Sequence, residues 1–336
     1  MVPLTNYIPR LIFTLVRFLC LSLTVNLCVV GKSSARPIVI DEKEQRVSVG
    51  PFLRYLEDAR HQLKIKDVID PHFEKKWLSN SSPALNFGFS ESTYWLHLQL
   101  ENVTSSTRER ILALEYPPMD MMETYTFEAS GSEQLLGRCG DTIPFKERPI
   151  KSRYCTVSLQ IPPQSTLNVI LKLHTEGSFQ IPLMLYTPSA YYSHDHEQQL
   201  FFGALIAILA VMALYNFFIF LSLKEATYFY YVIYITGEIL FYGCTNGIAY
   251  EYFWPSLSGW SRVSLPATLG LSVISGIPFT LSYLRTRDHV PRIDLALKAV
   301  IPYFTRHIRK LNHRPMTFLL KKDASTCKPR VVQISV

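Results

Sequence analysis

The sequence predicts an all-β, jelly-roll-like sandwich followed by a helical transmembrane segment of three spans. Three observations carry that prediction. Apolar residues alternate with period 2 in several runs between residues 36 and 190. Three long runs between 199 and 284 are almost free of charge. Only 18% of the 336 residues are Asp, Glu, Lys or Arg, while 48% are hydrophobic. A soluble chain averages about 25% charged residues, so part of this one is expected in lipid. The same balance excludes wholesale disorder, which needs few apolar residues and high net charge.

Residues 1–35 read as a secretory signal peptide. Arg10 ends a short polar start, Leu11 to Val30 are nearly all apolar, and Ser33-Ser34-Ala35 places small residues at cleavage spacing. Residues 36–190 follow as the β domain. In Tyr94-Trp95-Leu96-His97-Leu98-Gln99-Leu100 every second residue is large and apolar. Val157, Leu159 and Ile161 repeat the pattern, as do Val169, Leu171 and Leu173, while Tyr125 and Phe127 mark a shorter run. Such runs between Gly, Pro, Ser and Asn clusters predict half-buried antiparallel strands. Only Asp67–Trp77 has room for a short helix.

Leu200–Leu223 holds 24 residues without a charge. Lys224 and Glu225 form a turn, Ala226–Tyr250 carries only Glu238, and Val263–Leu284 carries none. About 20 apolar residues cross a bilayer as a helix, so each run is a candidate span. Basic residues Lys224, Arg285, Arg287, Arg292 and Lys298 gather on one side of the resulting topology, opposite the exported domain, as the positive-inside rule expects. Residues 285–336 hold 12 Lys/Arg and 3 Asp/Glu, so the net +7 of the chain belongs to this tail rather than to a nucleic-acid-binding surface. The tail is expected to be disordered, with its cations able to touch anionic lipid.

Several residues are candidates for chemistry. Trp77, Tyr94, Trp95 and Tyr116 could form an aromatic platform for sugar rings, or could simply be core and strand-edge packing. Asp141, Arg148 and Arg153 could hydrogen-bond ligand hydroxyls or a carboxylate, or could pair with one another around a turn. Cys139 and Cys155 are the thiols of the exported domain; a bridge between them would contribute about 3 kcal/mol in the chain-entropy model, and the sequence leaves open whether they meet. Glu238 lies mid-span, where a carboxylate is either functional or a hydrogen-bonded structural group, with Asn216 and Asn246 as possible partners. His194-Asp195-His196-Glu197 has metal-ligating chemistry, but adjacent helical residues do not face one another, and a solvated juncture is the better reading. No metal site, cofactor or catalytic motif is expected, and the chain is read as a binding protein rather than an enzyme.

Trp77, Phe87-Gly88-Phe89-Ser90, Tyr94-Trp95-Leu96, Glu101-Asn102 and Glu115-Tyr116-Pro117 stand in an ordered series. Gly140-Asp141-Thr142-Ile143-Pro144-Phe145, Arg148-Pro149-Ile150, Arg153, Gly177-Ser178 and Leu185-Tyr186-Thr187-Pro188 continue it. Leu214-Tyr215-Asn216-Phe217, the aromatic residues from Tyr228 to Tyr234, and Gly247 follow in the helical part. Over residues 45–300 this series resembles the bacterial seven-transmembrane receptors with diverse intracellular signalling modules, beginning with their type-2 extracellular domain. The resemblance implies a periplasmic sensor domain for a small ligand, carbohydrate among the candidates, on a multi-pass unit in the bacterial inner membrane. It also implies an intracellular output domain and seven spans. Three spans and no output signature are found, so a truncation or frameshift near residue 300 is the expectation, and signalling would need a separate partner protein. The alternative is a nonsignalling membrane-anchored scaffold or an inactive receptor remnant.

Overall fold

The computed structural model describes residues 36–41, 44–127 and 133–313. The signal-peptide reading of 1–35 and the last part of the basic tail, 314–336, lie outside the described residues.

The β domain runs β1 (Ile38–Ile40), β2 (Arg46–Ser48), β3 (Arg54–Asp58), the short helix α1 (Ile65–Ile69), β4 (Leu78–Ser79), β5 (Leu85–Phe89), β6 (Thr93–Asn102), β7 (Arg108–Leu114) and β8 (Met121–Phe127). It continues with β9 (Glu133–Cys139), β10 (Cys155–Ile161), β11 (Ser165–His174), β12 (Ser178–Ile181) and β13 (Leu183–Tyr186). The larger sheet has the order β4-β3-β6-β11-β8-β9, with β1 pairing β6 in parallel beyond the end of β3. The second sheet has the order β10-β7-β13-β2, and β12 pairs β5 beside them.

β6 shows why the two sheets pack. Tyr94, Leu96, Leu98 and Leu100 point inward and meet Val169, Leu171 and Leu173 of β11 and Val157, Leu159 and Ile161 of β10 in one buried core. Successive side chains alternate faces, so Trp95, His97 and Gln99 point outward. A disulfide between Cys139 at the end of β9 and Cys155 at the start of β10 joins the two sheets, with Cα atoms 5.5 Å apart. Asn102 is buried at the end of β6, where its amide donates to the carbonyls of Ser106, Ile161 and Pro162 and closes that edge.

The last strand feeds the first long helix with no linker. Thr187 caps it, its hydroxyl accepting from the Ala190 amide at 3.3 Å, and Pro188 follows in the first turn. The helices are α2 (Pro188–Leu223), α3 (Ala226–Thr245), α4 (Ile248–Tyr252), α5 (Ser258–Tyr283), α6 (Thr286–His289) and α7 (Pro291–His313). α2 and Val263–Tyr283 of α5 are long and apolar enough to cross a membrane. The expected middle span is a helix of 20 residues, but it does not reach that hydropathy, because Tyr228, Tyr230, Tyr231, Tyr234 and Tyr242 carry hydroxyls along it. α3 packs closely on α5 through Gly237, where an added Cβ would sit 3.0 Å from Ser272 Oγ. Small residues let membrane helices approach in this way.

The tail expected to be disordered from 285 is instead helical as far as His313. A left-handed Arg285 turns the chain out of α5, and Asp294 latches the corner by accepting from Thr286 Oγ1 at 2.9 Å and from Lys298 Nζ at 2.6 Å. An i, i+4 acid–base pair favours helix, which the loss of a spanning-length apolar run conceals.

Candidate ligand-binding site

Outer-face residues are brought together by register. His97 of β6 stands opposite Arg54 of β3 and Ile170 of β11; Gln99 stands opposite Asn168, and Asn168 opposite Phe127 of β8. The Gln99 amide donates to Asn168 Oδ1 at 3.0 Å, and His97 Nε2 lies 3.2 Å from the same oxygen. Rings flank this polar row, with Trp77 5.6 Å and Phe127 5.9 Å from the imidazole. Burial pushes the His97 pKa down. On the cross-strand row of His97, beyond Ile170, the Tyr125 hydroxyl donates to Glu123, and burial together with that bond pushes its pKa up to about 12.

Half of this face is closed. The segment carrying α1 packs Val68 and Phe73 against Leu56, Trp95 and Ile170. Trp77 ends that segment, so its half-buried ring borders the uncovered half. Trp95 is 1% exposed beneath the segment, and Tyr94 is buried on the opposite face, stacked on Phe87 at 3.8 Å. The platform expected from Trp77, Tyr94, Trp95 and Tyr116 therefore does not form: neighbours in a strand point to opposite sides of the sheet.

The remaining candidates gather where the sandwich meets the helices. Arg148 is buried and spends its guanidinium on backbone carbonyls, those of Ser152 at 2.7 Å and Gly140 at 3.1 Å among them. Its cation lies over the rings of Phe145 and Tyr250, and burial pulls its pKa down. Arg153, 1% exposed, pairs with Asp195 of α2 at 3.4 Å and stacks over Tyr154 and Phe202. The acidic and histidine residues at the start of α2 are thus a joint: Asp195 holds Arg153, and His194 Nε2 lies 3.3 Å from Glu115. Among the described residues no group of three His, Cys, Asp or Glu is placed to hold a metal.

Three further contacts tie the loop 140–154 to the turn after α3. The Tyr250 hydroxyl donates to the Ile143 carbonyl, the Phe145 amide donates to Pro255, and left-handed Gly247 packs against Pro117 and Arg153. A Cβ at Gly247 would press on the Arg153 backbone, so glycine is required both for its φ of 75° and for the approach. Below this contact a cavity of about 1020 Å³ opens between the domains, lined in part by Tyr116, Asp141 and Arg153. Asn216 and Asn246 do not partner Glu238. Each bonds back to a carbonyl of its own helix, Met212 at 2.9 Å and Tyr242 at 3.0 Å, as short amides in helices do.

A β-sandwich is thus docked through buried arginines onto long apolar helices. Residues 50–187 match the 7TMR-DISM extracellular 2 family model, and residues 198–305 match that of the 7TM diverse intracellular signalling domain. The chain belongs to the 7TMR-DISM receptor family and is a membrane protein. A search of curated proteins gives no match. Among solved structures it is similar to TmCBM61 in complex with beta-1,4-galactotriose, at 10% identity and TM-score 0.25, covering 43% of this chain and 99% of that one. It is also similar to the Epithelial Adhesin 9 A domain from Candida glabrata in complex with Galb1-3GlcNAc, at 12% identity and TM-score 0.23, covering 40% and 80%. The C-terminal CBM6 of LamC from Zobellia galactanivorans is similar at 13% identity and TM-score 0.19, covering 31% and 87%.

Proposed function

We propose that this chain is the sensory part of an inner-membrane receptor, with the sandwich in the periplasm and α2, α3 and α5 crossing the membrane. The ligand is a small polyhydroxyl compound of the carbohydrate class, held on the uncovered outer face of the larger sheet. The observation that carries this reading is the row His97, Gln99 and Asn168 between the rings of Trp77 and Phe127. Amide and imidazole groups exchange hydrogen bonds with hydroxyls, while aromatic faces accept the C–H side of a sugar ring. The reading is binding, not catalysis.

Signal transfer requires that ligand favour one arrangement of the helices over another. β13, of the second sheet, runs directly into α2, and the Arg153–Asp195 pair joins the same helix to the sandwich, so a shift of that sheet against the ligand-bearing one has a short path into the membrane.

Titration calorimetry of the full chain in lipid nanodiscs, with cellotriose, laminaritriose and galactotriose as probes, tests the assignment. Saturable binding of one of them, weakened about tenfold by Trp77→Ala and by Asn168→Ala, supports it; each change removes about 1–2 kcal/mol of stacking or hydrogen bonding. Binding that both variants leave untouched would place the ligand elsewhere.

A further inference from the structure

β5 does not keep its alternation to the end. Leu85 and Phe87 turn into the core, where Phe87 stacks on Tyr94. Period 2 would send Phe89 the same way. Opposite β12, however, Asn86 pairs with Gln180 and Gly88 with Phe179, so Phe87 is an extra residue in a β-bulge. Gly88 takes the bulge with a φ of 66°, its amide donating to Asn86 Oδ1 at 2.9 Å. The bulge resets the alternation and turns Phe89 out. At 87% it is the most exposed large apolar side chain among the described residues. Tyr94, Leu173, Met122 and Cys139 stand in one cross-strand row, so the start of β6 and the start of loop 140–154 share one end of the sandwich. That end is the one docked on the helices, and Phe89 lies at it, just before β6.

We infer that Phe89 is a second membrane contact of the sandwich: its ring enters the boundary between headgroups and acyl chains of the phospholipid leaflet on the sandwich side, beside α5. The partner is lipid because the ring borders a surface that already faces lipid. Phe89 shares one opening with Trp254 and with Val263, Leu265 and Leu269 of α5. The apolar span of α5 begins at Val263, and Leu269 lies about 9 Å further along its axis. The opening therefore reaches past the edge of the span, and Leu269 within it is 43% exposed, continuous with the outer surface of the helix. Aromatic rings favour this boundary of a bilayer. Glu91, exposed two residues on, limits the depth, because a carboxylate stays in the headgroup layer. The sandwich is then held at two points, by loop 140–154 on the helices and by Phe89 on the bilayer. The inference rests on the helices crossing the membrane, as proposed above, and not on the glycan reading.

The test is photo-crosslinking of the full chain in phosphatidylcholine nanodiscs, with 4-benzoylphenylalanine placed singly at Phe89, Val103 or Phe218 and phospholipid adducts read by mass spectrometry. All three positions are exposed, so each replacement should leave the melting temperature unchanged, which checks the fold. Phe218 of α2 reports the span itself. Val103 is an exposed apolar residue at the far end of β6, about 30 Å from the end that carries Phe89. Lipid adducts should form at Phe218 and at Phe89, with about tenfold less at Val103, which lies beyond the headgroup layer. An adduct at Phe218 with no more at Phe89 than at Val103 would overturn the inference and leave the span standing. Crosslinking from position 89 into α5 or into a second copy of the chain, in place of lipid, would overturn it too. No adduct at Phe218 would overturn the span of α2, and the inference with it.

Discussion

The sandwich and the helical part bury their apolar residues in opposite senses. In the sandwich Leu98, Leu112 and Leu171 are 0–1% exposed, closed between two sheets. Along α2, Val211, Leu214 and Phe218 are 55–66% exposed, and nothing in its most apolar window is buried. In water such a helix face would be an aggregation hazard, whereas in lipid it is already in its preferred solvent. One chain is therefore built for two solvents. The boundary between them is where the charged contacts gather: Arg148, Arg153, Asp195 and Glu115.

The contrast can be broken by making one substitution on both sides. Leu171→Ala should cost about 2–5 kcal/mol, because a closed core collapses poorly around the lost volume. Leu214→Ala should stay within about 0.5 kcal/mol, as an exposed position does. Thermal unfolding of both variants in the same nanodisc measures the difference; equal losses would mean that α2 is covered by protein.

The boundary itself should be nearly as sensitive. Asp195→Ala leaves the Arg153 guanidinium buried without its ion partner and should cost about 3 kcal/mol. The double change Arg153→Met with Asp195→Leu should cost less than Asp195→Ala alone, since no uncompensated charge remains. A double-mutant cycle reads this directly, and strict additivity would show that the pair does not act as a unit.

Removing the bridge with Cys139→Ala and Cys155→Ala should cost about 3 kcal/mol, through the freedom regained by the unfolded loop. The loss should fall on the sandwich, seen as faster amide exchange in β9 and β10, with the helices unchanged. Equal exchange throughout would mean that the two regions unfold as one.

The smallest expected effect is a pH slope. Burial holds the His97 pKa below its ordinary value of 6.5, so the unfolded chain binds the proton more readily than the folded one. This contribution to stability is complete above 6.5 and is lost as the pH falls from there through the lower folded value. Comparing unfolding at neutral and mildly acid pH, His97→Gln should flatten the slope in that window. An unchanged slope would assign it to other groups.

Much of the fold was legible in the residues. The alternation Tyr94–Leu100 identified β6 and its inward set, and the charge-free run Leu200–Leu223 identified the apolar part of α2. The outer face was harder. The same alternation exposed His97 and Gln99, yet nothing local linked them to Asn168, which lies across a ladder fixed by long-range pairing. Trp95 was legible as an aromatic, but its burial beneath α1 was not. The helix after Arg285 was missed because its support, the Asp294 latch to Thr286 and Lys298, is a tertiary corner rather than a run of hydropathy. Tyr250 was visible only as the end of the second apolar run and Gly247 only as a family glycine; their docking role comes from the loop they touch.

The sequence by itself determined which residues turn from water, because that follows from side-chain chemistry and period alone. It also determined the ordered motifs that place this chain in its receptor family. The tertiary structure decided which of those residues meet. Sheet register set the polar row against two rings, and it split Tyr94 from Trp95. Docking of loop 140–154 on the α3–α5 turn committed Arg148 to carbonyls and Arg153 to Asp195, leaving a cavity between sandwich and helices. Contacts between residues far apart in the chain depend on the closed shape of the whole, and no local pattern encodes them.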